Sequence, residues 1–320
     1  PSLTKVGFGF QSAGRVQSPT LRLIVEREME IESFKPLEYW SINLNLSCDK
    51  TKHFDAYGIE YKNNKIDKLS INNEKMALEI VKEYQNSNFY INDISSIPKK
   101  RKPLPPFLTS TLQQEANNRL YMGAQLTMSI AQKLYESGYI TYMRTDGIDM
   151  APEAISATRN TIKELYGEKY LPDKPKFYKN KVANAQEAHE CIRPTNINKN
   201  AENLNLQDIS QKKLYDLIRN RTLASQMEDE ISETTTVIIN SKDNINKLKA
   251  VGRVIKFDGF RRAFSYGDND DTNNNQENKE LPVLEIGKEV QIDKILPQQH
   301  FTQAKPRYSE ATLVKKMVDL

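Results

Sequence analysis

A chain of 320 residues has room for roughly two or three domains, and its 38% hydrophobic content, set in periodic apolar runs, excludes global disorder. The formal net charge of +4, from 46 basic and 42 acidic residues, is no polybasic signature; basic side chains cluster only at Lys99–Lys102 and at Arg261–Arg262. Two distant cysteines, Cys48 and Cys191, with three histidines in all, make no zinc-finger pattern, and no apolar stretch approaches the roughly 20 residues of a membrane span.

In chain order, SAGRVQSPTLRLIVERE begins with a short glycine-containing segment. Ser18 and Pro19 then form an N-cap and first-turn pair for a helix carrying Leu21, Ile24 and Val25. Over 38–48 the period changes: Trp40, Ile42, Leu44 and Leu46 alternate with polar residues, which predicts a half-buried strand. A helix is expected over 74–84, and FYINDISSI is a further strand. The run Lys99–Pro106 (KKRKPLPP) reads as a linker between domains.

Helices follow. Ser110 or Thr111 caps one through Leu112 and Leu120. A second carries Leu126, Ile130 and Leu134 and ends at Gly138. Tyr139–Met143 is strand-like and Asp146-Gly147 a turn. Pro152 starts a helix with Ile155, Ile162 and Leu165 inward, closed by Gly167, and 208–226 is another helix. From Glu233 the β-branched runs TTTVIIN and KAVGRVIKF predict strands, followed by an Asn/Asp-rich loop at 268–280, a strand over LEIGKEVQIDKIL and a final helix in SEATLVKKMVDL. The order is that of a β-rich domain interrupted by a helical insertion. Pro1 in place of Met, and a last helix that stops short, give the expectation of a chain cut from a larger protein.

Three segments carry polar groups suited to phosphate chemistry. In GYITYMRTDG (138–147), Tyr142 and Arg144 are two apart and share a face if the segment is a strand. A phenol is a weak nucleophile near neutral pH. A neighbouring guanidinium stabilises its anion and can grip phosphate oxygens. In QEAHECIRPT (186–195), a helix would put His189 and Arg193 on one face, one able to share a proton with a phosphate and the other to bind it. In SAGRVQS (12–18), small residues allow close backbone approach while Arg15 and Gln17 donate; the spacing is not that of a nucleotide-binding P-loop. Each segment alone also fits an ordinary packed tyrosine, a solvent-facing histidine and a turn before a helix.

Taken together, in this order, these segments resemble the bacterial type IA DNA topoisomerases. PFLTSTLQQEANNRL, KFDGF and HFTQAKPRYSEATLVKKM add to the likeness, which extends from Gln11 to Met317. The resemblance implies a multi-domain α+β core. Its helical DNA-gripping domain would occupy 1–36 and 299–320, a discontinuous β-rich hinge and arch 37–103 and 231–298, and a helical lid carrying the tyrosine 104–230. It implies that Tyr142 is the nucleophile and that Arg144 stabilises charge at the scissile phosphate. His189 and Arg193, with Ser12, Arg15 and Gln17, would bind DNA, and Gln132, Glu136, Thr141, Thr145 and Asp146 would support the site. It further implies single-strand cleavage through a 5′-phosphotyrosine link, strand passage and religation without ATP, by a monomer in the bacterial cytoplasm at the nucleoid. Mg²⁺ would be held by a Toprim domain that precedes SAGRVQ in the family, with no metal or zinc ligands in this chain. Topoisomerase III and reverse gyrase share the tyrosine segment. A single-stranded DNA-binding module without chemistry, with Tyr139, Tyr121 and Phe107 stacking bases, and a purely structural scaffold are the competing readings.

Overall fold

The structure, a computed structural model, describes residues 16–49, 51–179, 189–206, 208–265 and 280–319. Ser12, Arg15 and nearly all of the Asn/Asp-rich loop lie outside the described residues.

Alternating apolar residues build the strands β1 (Glu38–Cys48), β2 (Lys52–Tyr61), β3 (Asn64–Lys65), β4 (Phe89–Arg101), β5 (Glu230–Ser241), β6 (Lys247–Phe257) and β7 (Glu289–Phe301). They form one antiparallel sheet in the order β1-β7-β4-β5-β6-β2-β3, and β1 also pairs with β2, so the sheet closes on itself. Ile42, Leu44 and Leu46 of β1 face Phe54, Ile91, Ile239 and Leu248 inside. Helix α2 (Glu74–Asn86) adds Ala77, Ile80 and Tyr84 to that core; its N-cap is Asn73, whose side chain accepts from the Met76 amide at 2.9 Å.

The seam between β4 and β7 is short, joining Phe89 to Val290 and Tyr90 to Glu289, with Ile91 bonded to Lys288 and Gly287 just before β7. Beyond it, β4 runs with β5 to Arg101, and β7 runs with β1 to Phe301. At the first end sits the helical block of α3 (Thr109–Leu120), α4 (Ala124–Glu136), α5 (Pro152–Tyr166) and α6 (Ile209–Ser225). Its core gathers Phe107, Leu112, Ile130, Leu134, Ile162, Tyr215 and Ile218, with Phe260 and Phe264 reaching in from beyond β6. The Arg221 guanidinium lies 4.9 Å from the Phe107 ring centre and donates from Nε to Pro105 O at 2.7 Å.

A buried charge cluster fixes the base of this block. Glu230, the fully buried first residue of β5, accepts from Arg253 Nη2 at 2.7 Å and lies 3.5 Å from Arg261 Nη1. Alongside, Gly259 (φ +48°) lets the chain pass Asp229 so closely that a Cβ would stand 2.4 Å from its carbonyl oxygen.

At the other end, α1 (Gln17–Ser33) lies against the segment leading into α7 (Glu310–Val318). Arg307 grips Glu28 with bonds of 2.9 and 2.6 Å, and Arg27 donates to Pro306 O and the Tyr308 hydroxyl. Helix α7 then meets the helical block by reciprocal capping. The Glu310 carboxylate accepts from the Ala124 amide at 2.7 Å, at the N-terminus of α4, where the N-cap Gly123 offers no side chain. Asn117 of α3 accepts from the Ala311 amide at 3.4 Å. The two ends of the closed sheet are thus joined a second time, helix to helix.

Several expectations are corrected. Lys99–Arg101 belong to β4, paired with Ser232, Ile231 and Glu230, so the linker begins only at Lys102. Helix α1 starts at Gln17 with Val16 as its N-cap, putting Ser18 inside the helix, and its apolar residues Leu21, Ile24 and Val25 are exposed. Helix α3 is preceded by Leu108 as N-cap, whose amide donates to the Thr111 hydroxyl at 3.1 Å, so Thr111 acts from within the first turn. Leu165 is exposed on α5, and β7 begins at Glu289, later than LEIGKEVQIDKIL suggests, then continues to Phe301.

Removing the carboxylate that caps α4 leaves its first amides without a partner. Glu310→Ala is expected to lower stability by about 1 kcal/mol and to speed hydrogen exchange at the Ala124 amide. Urea unfolding and exchange mass spectrometry check both; unchanged exchange there would contradict the capping role.

Candidate active site around Tyr142

Helix α4 ends in a Schellman turn. Gly138, at φ +73°, donates to Tyr135 O at 2.8 Å, and the Tyr139 amide donates to Leu134 O at 2.9 Å. The chain then doubles back in an extended but irregular path. The expected strand over Tyr139–Met143 reduces to an isolated bridge between Ile140 and Pro194. No hydrogen-bonded turn forms at Asp146-Gly147.

What replaces a ladder is a set of threonine hydroxyls. Thr141 Oγ1 donates to Cys191 O at 2.7 Å and accepts from the Arg193 amide at 3.0 Å, while the Thr141 amide donates to Arg193 O at 2.9 Å. Thr145 Oγ1 donates to Glu190 O and accepts from the Gly147 amide, both at 2.9 Å. Thr195 Oγ1 donates to Gly138 O at 2.7 Å. Thr109, at the start of α3, accepts from the Thr145 amide at 2.8 Å and has Met143 O within 2.8 Å of its hydroxyl. Residues 189–195 are therefore extended, held to the tyrosine segment, and the expected helix carrying His189 and Arg193 on one face does not form. Pro194 and the long-range partners outweigh local helical spacing there.

The alternation of burial survives without the strand. Ile140, Met143 and Thr145 are buried, whereas Tyr142 is 50% exposed and Arg144 is exposed. Among the described residues the Tyr142 hydroxyl has no hydrogen-bond partner, and Arg144 has no ion-pair partner. Arg193 differs: its Nε donates to Glu190 Oε1 at 2.7 Å, Nη1 donates to Pro194 O at 3.0 Å, and its side chain is largely covered. The same Glu190 oxygen accepts from the Ala151 amide at 3.0 Å, at the start of α5.

His189 Nδ1 lies 2.8 Å from Asp146 Oδ1, which orients the ring and leaves Nε2 without a partner among the described residues. Gly147 makes this placement possible: a Cβ there would stand 1.8 Å from His189 O. Gln132 donates to Glu136 at 2.7 Å across the last turns of α4. Cys191 is buried, and burial pushes its thiol up to about 12.

Arg144, Thr145, Asp146 and His189 form one wall of a cleft of about 820 Å³; Leu108 and Thr109 form a second, and Val314, Met317 and Val318 of α7 a third. Gln17, exposed at the start of α1, stands one turn from Thr20, whose hydroxyl lies 3.4 Å from the Met317 sulfur. Of the aromatic side chains proposed to stack bases, Phe107 is fully buried and Tyr139 half-buried, while Tyr121 is 90% exposed in a left-handed backbone conformation. Among the described residues no group of three His, Cys, Asp or Glu side chains gathers to hold a metal. The Mg²⁺ that the resemblance implies thus has no ligand set in these residues. Sequence reasoning missed Thr109, Gly147 as a contact and Glu190, because each acts on a partner tens of residues away.

A family model described as DNA topoisomerase matches residues 1–320. The chain belongs to the DNA topoisomerase family. It is 46% identical over 321 residues to DNA topoisomerase 1 of Rickettsia felis, covering 98% of this chain and 41% of that protein. It is 44% identical over 318 residues to DNA topoisomerase 1 of Campylobacter jejuni, covering 97% of this chain and 43% of the relative. The fold is similar to full-length topoisomerase I from Thermotoga maritima, with a TM-score of 0.74 at 34% identity, over 96% of this chain and 48% of that one. The chain thus spans about two fifths of the curated relatives it matches. The family resemblance read from the sequence is borne out, and the mixed helical and antiparallel fold fits it.

The threonine and glycine contacts carry a measurable load. Thr141→Val is expected to cost about 1–3 kcal/mol by orphaning the Arg193 amide and Cys191 carbonyl. Gly147→Ala should cost about 1–3 kcal/mol by forcing His189 away. Denaturant unfolding reads both, and wild-type stability in Gly147→Ala would show that the close approach is not needed.

Proposed function

We propose that this chain is the strand-cleaving part of a type IA DNA topoisomerase, with Tyr142 as nucleophile. The observation that carries the reading is an exposed phenol whose hydroxyl has no partner among the described residues, two positions before Arg144, an exposed guanidinium with no ion-pair partner among them that lines a cleft with His189 and Asp146.

The Tyr142 oxygen attacks a phosphodiester of single-stranded DNA. An O–P bond to the tyrosine forms, the bond from phosphorus to the 3′ oxygen breaks, and that oxygen leaves as a 3′-hydroxyl once protonated. Religation is the reverse, with the 3′-hydroxyl displacing the phenol. The phosphodiester energy is kept in the covalent link, so ATP has no role. Arg144, without a carboxylate partner among the described residues, offsets charge on the non-bridging oxygens. His189, oriented through Nδ1 by Asp146, offers Nε2 to the phosphate or to a proton in transit. Arg193, committed to Glu190, shapes this pocket from behind. Its contact with DNA would require giving up that pair. Thr141 and Thr145 set the backbone, and Gln132 and Glu136 line the approach along α4. Gln17, with Ser12 and Arg15, holds the strand on the α1 side.

In this reading the helical block is the lid, the closed sheet the hinge and arch, and α1 with α7 part of the DNA-gripping domain. The full-length protein relaxes negative supercoils as a monomer at the bacterial nucleoid, with Mg²⁺ bound by its Toprim domain.

In the full-length enzyme, Tyr142→Phe should abolish the covalent adduct with a labelled single-stranded oligonucleotide while leaving binding intact. Arg144→Ala should slow adduct formation roughly 100-fold. Denaturing gels read both, and an adduct surviving Tyr142→Phe would overturn the assignment. The present chain alone should not relax supercoiled plasmid in the presence of Mg²⁺; relaxation by the purified chain would show that its residues suffice.

A further inference from the structure

An exposed nucleophile with a free hydroxyl poses a positioning problem. A phenol that is half exposed and has no hydrogen bond is free to change rotamer, and attack at phosphorus requires its oxygen held in line. The backbone under Tyr142 is fixed by Thr141 and Thr145, but those bonds restrain the chain and leave the ring alone. Among the described residues the side chain of Tyr142 has one ring contact. Tyr135, in the last turn of α4, stands edge to face with it at 5.3 Å between centres and 68° between planes.

This contact is set by the fold on both sides. The turn at Gly138 reverses the chain just after α4, and the Thr195 hydroxyl ties Gly138 O to the neighbouring segment. Seven residues of chain thus return Tyr142 to the helix turn that carries Tyr135. Tyr135 is itself 40% exposed, so it is not there to fill the core. Its neighbours Ile130, Ala131 and Leu134 do that. Its hydroxyl also has no hydrogen-bond partner among the described residues, so what it gives Tyr142 is a ring.

We propose that Tyr135 is a positioning residue for the nucleophile: its ring is the wall against which the Tyr142 phenol is held in its attacking orientation. The inference rests on the reading of Tyr142 as nucleophile. An edge-to-face pair is electrostatic as well as apolar, so an aromatic ring is required and an aliphatic side chain of similar bulk does not replace it. The same ring holds the phenol as leaving group, so cleavage and religation are affected alike.

The test uses the full-length enzyme, a labelled single-stranded oligonucleotide and single-turnover kinetics. Tyr135→Leu should slow adduct formation and religation about 3- to 10-fold, with oligonucleotide Kd and melting temperature unchanged. Tyr135→Phe, which keeps the ring, should restore the wild-type rate. A wild-type rate in Tyr135→Leu overturns the inference, as does an equal loss in Tyr135→Phe, which would assign the effect to the hydroxyl. A loss in Tyr135→Leu matched by a lower melting temperature and not rescued by Tyr135→Phe assigns Tyr135 to folding and also overturns it. Tyr142→Phe run in parallel separates the two readings. If it forms no adduct, the nucleophile stands whatever Tyr135 does. If it forms one, both readings fall.

Discussion

The arrangement of the site depends on one constraint: residues 138–147 form no ladder and satisfy their backbone groups on the end of α4, on Thr109 and, above all, on 189–195, about fifty positions away. Threonine hydroxyls do this because each can donate and accept at once. Thr141 joins the Cys191 carbonyl to the Arg193 amide, and Thr145 joins the Glu190 carbonyl to the Gly147 amide. A buried backbone group left unpaired costs about 1–3 kcal/mol, so the bonds matter more for what their loss would leave exposed than for their net gain. Because the bonds hold both segments together, the backbone that carries Tyr142, Arg144 and His189 is fixed, while their side chains are left to other contacts.

The two bonded segments carry two arginines in different settings. Arg193 is largely covered, and a guanidinium in that setting requires a counter-charge. Glu190 supplies it and at the same time accepts from the first amide before α5. Arg144 is exposed and keeps its hydration, so it stands without a carboxylate at little cost. The result is one cation paired with Glu190 and one, without an ion pair among the described residues, facing a cleft whose other polar walls include Asp146, His189, Ser110, Gln113 and threonines.

Elements held by local rules were legible in the sequence. Strand β1 follows from alternation at Ile42, Leu44 and Leu46; the end of α4 follows from Gly138; α5 follows from Pro152 and Gly167. Failures came where distant partners outweigh local preference. Lys99–Arg101 look like a linker beside three prolines, yet β5 pairs with all of them. QEAHECIRPT has helical spacing, yet its described part is pulled straight by Phe107, Thr141 and Thr145. Gly147 reads as a turn glycine and is instead a point of contact with His189. Tyr142 and Arg144 are both exposed, as alternation suggested, although the strand that was to put them on one face does not form. Tyr135 gave no signal, since position on an amphipathic helix does not tell which exposed ring another ring will meet.

The helical block is attached unequally at its two ends. At its base, Glu230 is fully buried between Arg253 and Arg261, and Gly259 packs against Asp229 with no space for a Cβ. Removing either side of such a buried pair costs about 3–5 kcal/mol, because the other charge is stranded. At its tip, contact with α7 rests on one bond from Ala124 to an exposed Glu310, a long bond from Ala311 to Asn117, and cleft-lining apolar side chains of which Val318 is half exposed. When those bonds part, water replaces them, so their loss costs only about 1 kcal/mol each. The base thus rests on buried charge, and the tip on exposed hydrogen bonds and apolar contact. The tip is also the seam along which the cleft beside Arg144 and His189 is closed, since Val314, Met317 and Val318 come from α7. Any separation of α7 from the block widens that cleft while the threonine-bonded segment, carried wholly by the block, keeps Tyr142 and its neighbours in register.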